Sequence, residues 1–129
     1  MGIEAAKRLM AAAEAQAMKN NWSMAIVILD STGHMVMLEK LDNTQYGSIA
    51  VAEDKARSAL YYKRPTKVFE DLVAQGGIGL RTLALRGATP LEGGIPIITD
   101  SKIIGAIGVS GGTSVQDGQV AKAGADAAK

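Results

Sequence analysis

The stretch Gly93-Gly94-Ile95-Pro96-Ile97-Ile98-Thr99-Asp100-Ser101-Lys102-Ile103-Ile104-Gly105-Ala106-Ile107-Gly108-Val109-Ser110-Gly111-Gly112 decides the fold. Two apolar runs, Ile95 to Thr99 and Ile103 to Ser110, flank the turn Asp100-Ser101-Lys102, which predicts a β-hairpin. A further short strand is expected over Ala88 to Glu92, with Gly93-Gly94 as the turn after it. Gly105, Gly108 and Gly111 recur every third residue. That spacing is neither the dinucleotide fingerprint nor a P-loop. Glycines inside a strand predict close approach by a helix, a second chain or a ligand. Gly111-Gly112-Thr113-Ser114 then opens a C-terminal helix packed through Val115, Val120, Ala121, Gly124 and Ala128. The N–H groups of that opening are candidates to hold a carboxylate or propionate.

Working outward, Ser23-Met24-Ala25-Ile26-Val27-Ile28-Leu29 is apolar on both alternations, which predicts a strand covered on both faces. The turn Asp30-Ser31-Thr32-Gly33 and the run His34 to Lys40 make it the first half of a second hairpin. Ahead of it, Ile3, Ala6, Met10, Ala13 and Ala17 follow helical spacing, and Asn20-Asn21 ends that helix. Asp42-Asn43-Thr44 offers capping side chains for a helix over Gln45 to Tyr62, with Ile49, Ala52, Ala56, Ala59 and Leu60 inward. Pro65 suits the first turn of a shorter helix that buries Val68, Phe69, Leu72 and Val73 and stops at Gly76-Gly77. Residues 78–87 carry no assignable pattern. The expected order is α-β-β-α-α-β-β-β-α, an α+β domain with an antiparallel sheet covered by helices.

The chain has 129 residues, which fits one domain over residues 1–129. A hydrophobic fraction of 47% argues for a packed core. A net charge of +1 leaves no basic excess for nucleic acid. With no Cys, disulfides and thiolate metal sites are excluded, and a single His excludes motifs built on two. Charged residues break up the first twenty positions, and no apolar run is long enough to span a membrane, so a cytoplasmic protein is expected. Met1-Gly2 leaves room for a leader trimmed for expression.

Candidate chemistry is sparse. His34, the single imidazole, is either a metal ligand or a solvent-facing turn residue. Lys55 and Arg57 sit two apart on a helix and point to different faces, so one is expected to border a pocket. Arg64, before Pro65, could reach over a cavity mouth, and Arg86 could fork onto a carboxylate. Tyr61-Tyr62 could line an apolar cavity, ligate iron weakly, or close the core. Asp117, in the first turn of the last helix, suits the helix dipole.

Six blocks in order carry a family likeness: Asp30-Ser31-Thr32-Gly33-His34, Asp54-Lys55-Ala56-Arg57-Ser58-Ala59, Arg64-Pro65-Thr66, Gly93-Gly94-Ile95-Pro96-Ile97, Ile104 to Gly112, and Gln116-Asp117. Together they resemble the GlcG/HbpS-like family, which includes the C-terminal domain of PduO-type proteins. The resemblance implies a profilin-like three-layer α/β/α fold with a five-stranded antiparallel sheet, homo-oligomers, often octamers, and haem or corrinoid-related binding in some members. The family's Glu-Gln-Asp before the last helix stands here as Val115-Gln116-Asp117.

The expected function is therefore binding of haem, or of another planar or small anionic molecule. Lys55, Arg57, Arg64 and Arg86 would supply charge, Gly93-Gly94 and Gly111-Gly112 would allow close approach, and His34 would ligate iron. With five aromatic residues, Trp22, Tyr46, Tyr61, Tyr62 and Phe69, a haem enclosed in one protomer is not expected; a surface or intersubunit site is. The alternative is a metal-independent enzyme on a small carboxylated intermediate, with Lys55 or Tyr62 as acid or base and an arginine on the carboxylate.

Overall fold

The computed structural model describes residues 1–128. Its elements are α1 (Ile3–Lys19), β1 (Ala25–Asp30), β2 (Met35–Lys40), α2 (Gly47–Tyr62), α3 (Lys67–Gln75), a 3-10 helix (Gly77–Ala84), β3 (Gly94–Thr99), β4 (Lys102–Ser110) and α4 (Ser114–Asp126). The four strands form one antiparallel sheet in the order β2-β1-β4-β3. The two runs read as most apolar, β1 and β4, are the central pair, with Ile28 opposite Ile107.

Alternation along β1 divides the core in two. Ile26 and Ile28 face one way, where Leu9, Met10 and Ala13 of α1 and Val120 and Ala121 of α4 cover them. Ala25, Val27 and Leu29 face the other way, against Ala52, Ala56, Ala59 and Leu60 of α2. Both sets are fully buried, so the sheet lies between two helical layers. Gly108 shows why β4 carries glycine: a Cβ there would strike the backbone of α2 at Ala52 O and at Ala56 N, 2.6 Å away. The repeated glycines thus serve helix–sheet contact at this position.

Several expectations are corrected, among them Val68 and Val115, which are exposed rather than packed inward. The sheet has four strands, not five, and Ala88 to Glu92 is not a strand. Pro90 has no N–H to give a ladder, and the neighbouring polar groups find partners on helices instead. Thr89 N donates to Ser58 Oγ (3.0 Å) and Glu92 N to Glu70 Oε1 (3.0 Å). Gly94 opens β3 rather than forming a turn. The capping of α2 also differs. Thr44 donates its hydroxyl to Leu41 O, and α2 starts at Gly47 with no side-chain cap. Residues 77–84, left unassigned, form the 3-10 helix, which carries exposed Ile78, Leu80 and Leu83.

Candidate functional site

Lys55 is where the fold concentrates charge. α2 aims it into the sheet beside β4, and its side chain is only 3% exposed. Nζ donates to Asp117 Oδ2 (2.9 Å) and to Val109 O (2.9 Å). Asp117 comes from the first turn of α4, and its Oδ1 accepts the N–H of Gly112 (2.9 Å). A capping box between Thr113 and Gln116 completes that helix start. The N–H of Gly112 is therefore already engaged by the chain's own carboxylate. Two of the three ammonium protons of Lys55 are placed by these bonds.

Gly93 closes over this ion pair. Its φ is +133°, and a Cβ there would lie 2.5 Å from Val109 O and 2.9 Å from Lys55 Nζ. Only glycine fits, for both conformation and space. On the outer side of Gly93 and Gly94 lies a cavity of about 200 Å³, walled by Pro65 and Ile95 and rimmed by Lys67, Glu92 and Lys122. Lys67 pairs with Asp71 (2.8 Å) and Lys122 with Asp126 (2.5 Å), so the rim cations are already balanced. Burial pushes the Glu92 carboxyl above the usual range, and the charge of Glu70 adds to the shift. Glu70 Oε1 in turn accepts from Ser114 Oγ (2.7 Å), tying α3 to α4.

A second group of candidates meets on the surface. His34 is exposed, beside Gly33 at the β1–β2 hairpin. Its Nδ1 lies 2.7 Å from Thr32 Oγ1, which lies 2.6 Å from Asp30 Oδ1. The Thr32 hydroxyl, above all, holds the Asp30 carboxyl below its usual range. The ring of Tyr61 reaches this hairpin from α2; a Cβ on Gly33 would lie 2.8 Å from its hydroxyl. One turn back on α2, Arg57 Nη2 bonds Glu53 Oε2 (3.0 Å), which raises the guanidinium pKa, with a smaller contribution from Tyr61. Tyr61 thus lies between Gly33 of the hairpin and Arg57, while the His34 ring is held against Thr32.

The other candidates lie apart. Tyr62 donates to the backbone carbonyl of Arg86 (2.5 Å) and packs edge-on against Phe69. Arg64 donates Nε to Tyr62 O (2.8 Å), with its guanidinium 5.8 Å from the Phe69 ring centre. Tyr62 therefore meets Arg86 through a main-chain oxygen, and Lys55 meets Asp117 rather than an arginine. Sequence reasoning gave Asp117 only a dipole role. Its position just past Gly111-Gly112 was a weak signal, because Lys55 is 62 residues away.

A groove of about 580 Å³ runs between α1 and β2, lined among others by Glu14, Met18, Trp22, Glu39, Lys40 and Asp42. Burial, then the neighbouring Glu14, raises the Glu39 carboxyl, whose Oε1 is buried without a hydrogen-bond partner. A porphyrin needs a wide apolar slot, an iron ligand and cations for two propionates. This groove offers three acids against one lysine, and the Gly93–Gly94 cavity is too small and has no imidazole. The hairpin side holds the single imidazole, His34, and one guanidinium, Arg57, which is already paired with Glu53. No described helix is long and apolar enough to cross a membrane.

The family model "Haem degrading protein HbpS-like" matches residues 1–126. Protein GlcG of Escherichia coli strain K12 is 42% identical over 105 residues, covering 81% of this chain and 77% of GlcG. The crystal structure of Klebsiella pneumoniae protein ORFY superposes with a TM-score of 0.87 at 29% identity, over 98% of this chain and 89% of that one. A PduOC:haem complex superposes with a TM-score of 0.86 at 24% identity, over 98% and 94%, which speaks for the fold.

Proposed function

The chain belongs to the HbpS-like family, and from that premise we propose that it binds a small molecule, with haem or a related planar tetrapyrrole as ligand on its outer face. The observation that carries this reading is the meeting of the His34 hairpin with Tyr61, one helical turn from Arg57. Around that hairpin lie one nitrogen ligand, one aromatic ring and one guanidinium that would exchange Glu53 for a propionate. Haem, when bound, supplies a redox-active iron. The protein's part is to ligate, orient and partly shield it. An exposed site on a single protomer shields poorly, so the proposal includes a second copy of the chain to cover the other face. The exposed apolar side chains of the 3-10 helix, Ile78, Leu80 and Leu83, support assembly, which in this reading extends to an octamer. We place this activity in the cytoplasm.

Titration with hemin tests the proposal. Saturable growth and shift of the Soret band at one equivalent per chain or per pair of chains is expected, with loss of the shift in His34→Ala. A spectrum equal to hemin in buffer would reject it.

A second reading is favoured by one feature, the small cavity outside Gly93–Gly94 with its upward-shifted Glu92. There a compact carboxylated molecule would bind close to Lys55, with Lys55 or Tyr62 as the acid–base group of a metal-independent reaction. In this geometry Lys55 and Glu92 sit on either side of Gly93, whereas Tyr62 lies elsewhere, against Phe69. Ligand-observed NMR with a set of small carboxylates separates the readings, since Ile95→Trp, which fills the cavity, would abolish binding here and leave the hemin spectrum unchanged.

A further inference from the structure

Among the described residues, one buried side-chain acceptor has no donor, Oε1 of Glu39. Buried polar atoms in native folds are nearly always hydrogen-bonded, so this oxygen calls for a partner that the chain does not supply. The register explains where it sits. Glu39 stands opposite Ile26 in the β1–β2 ladder, so it shares the face that α1 covers. Glu14, one turn beyond buried Met10 on α1, reaches it there. Burial, then the nearness of Glu14, holds the Glu39 carboxyl above its usual range.

Both acids line the groove of about 580 Å³ between α1 and β2, together with Asp42 and the side chains of Met18 and Trp22. Glu14, Glu39 and Asp42 take part in no ion pair among the described residues. Lys40 borders the groove too, but it stands opposite Ala25, so strand alternation directs its side chain to the α2 face. The groove thus carries acids that the chain leaves unbalanced, beside a half-buried indole.

The class of ligand follows by exclusion. An anion is repelled. A bare metal ion needs acids that converge, and no three acidic or imidazole groups do so among the described residues. Spread acids beside an indole suit a cation that is itself extended. An ammonium or guanidinium brings N–H donors for Glu39 and Glu14, and its stem or ring packs on Trp22 and Met18. The volume is that of a small-molecule site.

We propose that the groove between α1 and β2 is a binding site for an organic cation, a primary amine or guanidine on a short apolar stem, with its charged head between Glu14 and Glu39 and its body against Trp22. The inference goes beyond both readings above and uses none of their residues.

Trp22 is the single tryptophan, so its fluorescence reads the site directly. Titration of the full chain with putrescine and with phenethylamine is expected to shift its emission saturably. Butanediol, an uncharged analogue of putrescine, and magnesium chloride, a charge without a stem, are expected to leave it unchanged. Glu14→Gln and Glu39→Gln are each expected to weaken amine binding about 10-fold, with melting curves to establish that both variants are folded. Glu4→Gln, at the start of the same helix, is expected to bind as wild type does. No saturable shift with either amine overturns the proposal. So does an equal response to butanediol or to magnesium, or undiminished binding in Glu39→Gln.

Discussion

Replacing Lys55 by methionine should expose how much the fold depends on one buried ion pair. The lysine and Asp117 side chains are 3% and 4% exposed and meet at 2.9 Å. Methionine keeps most of the volume and the helix propensity, so the change is close to a deletion of charge. Asp117 would be left with one listener, the N–H of Gly112, and Val109 O would lose its partner. Stranding one member of a buried pair costs about 3–5 kcal/mol. For a chain of this size each kcal/mol moves the midpoint by roughly 3–5 °C, so a fall of about 9–25 °C is expected. Urea unfolding and calorimetry of Lys55→Met, Asp117→Asn and the double variant measure this. The double variant carries no stranded charge, so its loss should be clearly smaller than the sum of the single losses. A loss under about 1 kcal/mol in Lys55→Met, or strict additivity, would refute the view that this pair locks α2 and α4 to β4.

Three other outcomes follow from the same coordinates. Gly93→Ala should destabilise the fold by about 2–4 kcal/mol in urea unfolding, since the residue sits at φ +133° with Val109 O and Lys55 Nζ in the way. Glu39 has a folded-state pKa raised above its ordinary 4.5, by burial first and by Glu14 next. Its contribution is full below the unfolded value and is lost as pH rises through the raised folded value. Glu39→Gln should therefore gain on wild type across that window and stay ahead at pH 7, by roughly 0.5 kcal/mol after solvent screening, as read by paired melting curves. Ile78→Lys with Leu83→Lys, at side chains 77% and 63% exposed, should lower the assembly mass in light scattering while leaving the protomer's stability within about 0.5 kcal/mol.

The sheet was legible where local pattern and global role agree. β1 and β4 read as apolar on both faces, and they are the two central strands. Both hairpins were marked by their turns. Legibility failed where partners lie far away in sequence. Ala88 to Glu92 has the composition of a strand, yet Ser58 and Glu70, from α2 and α3, take up its backbone groups. The 3-10 helix packs chiefly on α3 and keeps its apolar side chains outward, so no amphipathic period marks it. At the candidate sites, residue types were readable and pairings were not. Nothing local says that Lys55 will meet Asp117 or that Tyr61 will reach Gly33. Gly93 was the better clue, because a glycine before a strand invites a close neighbour, here the ammonium of Lys55.

Diffraction from haem-loaded crystals at the iron absorption edge bears most directly on the central claim. The account predicts an anomalous iron peak within bonding distance of the His34 imidazole, at the β1–β2 hairpin. An iron peak in the α1–β2 groove or the Gly93–Gly94 cavity, or none at full haem loading, would contradict it.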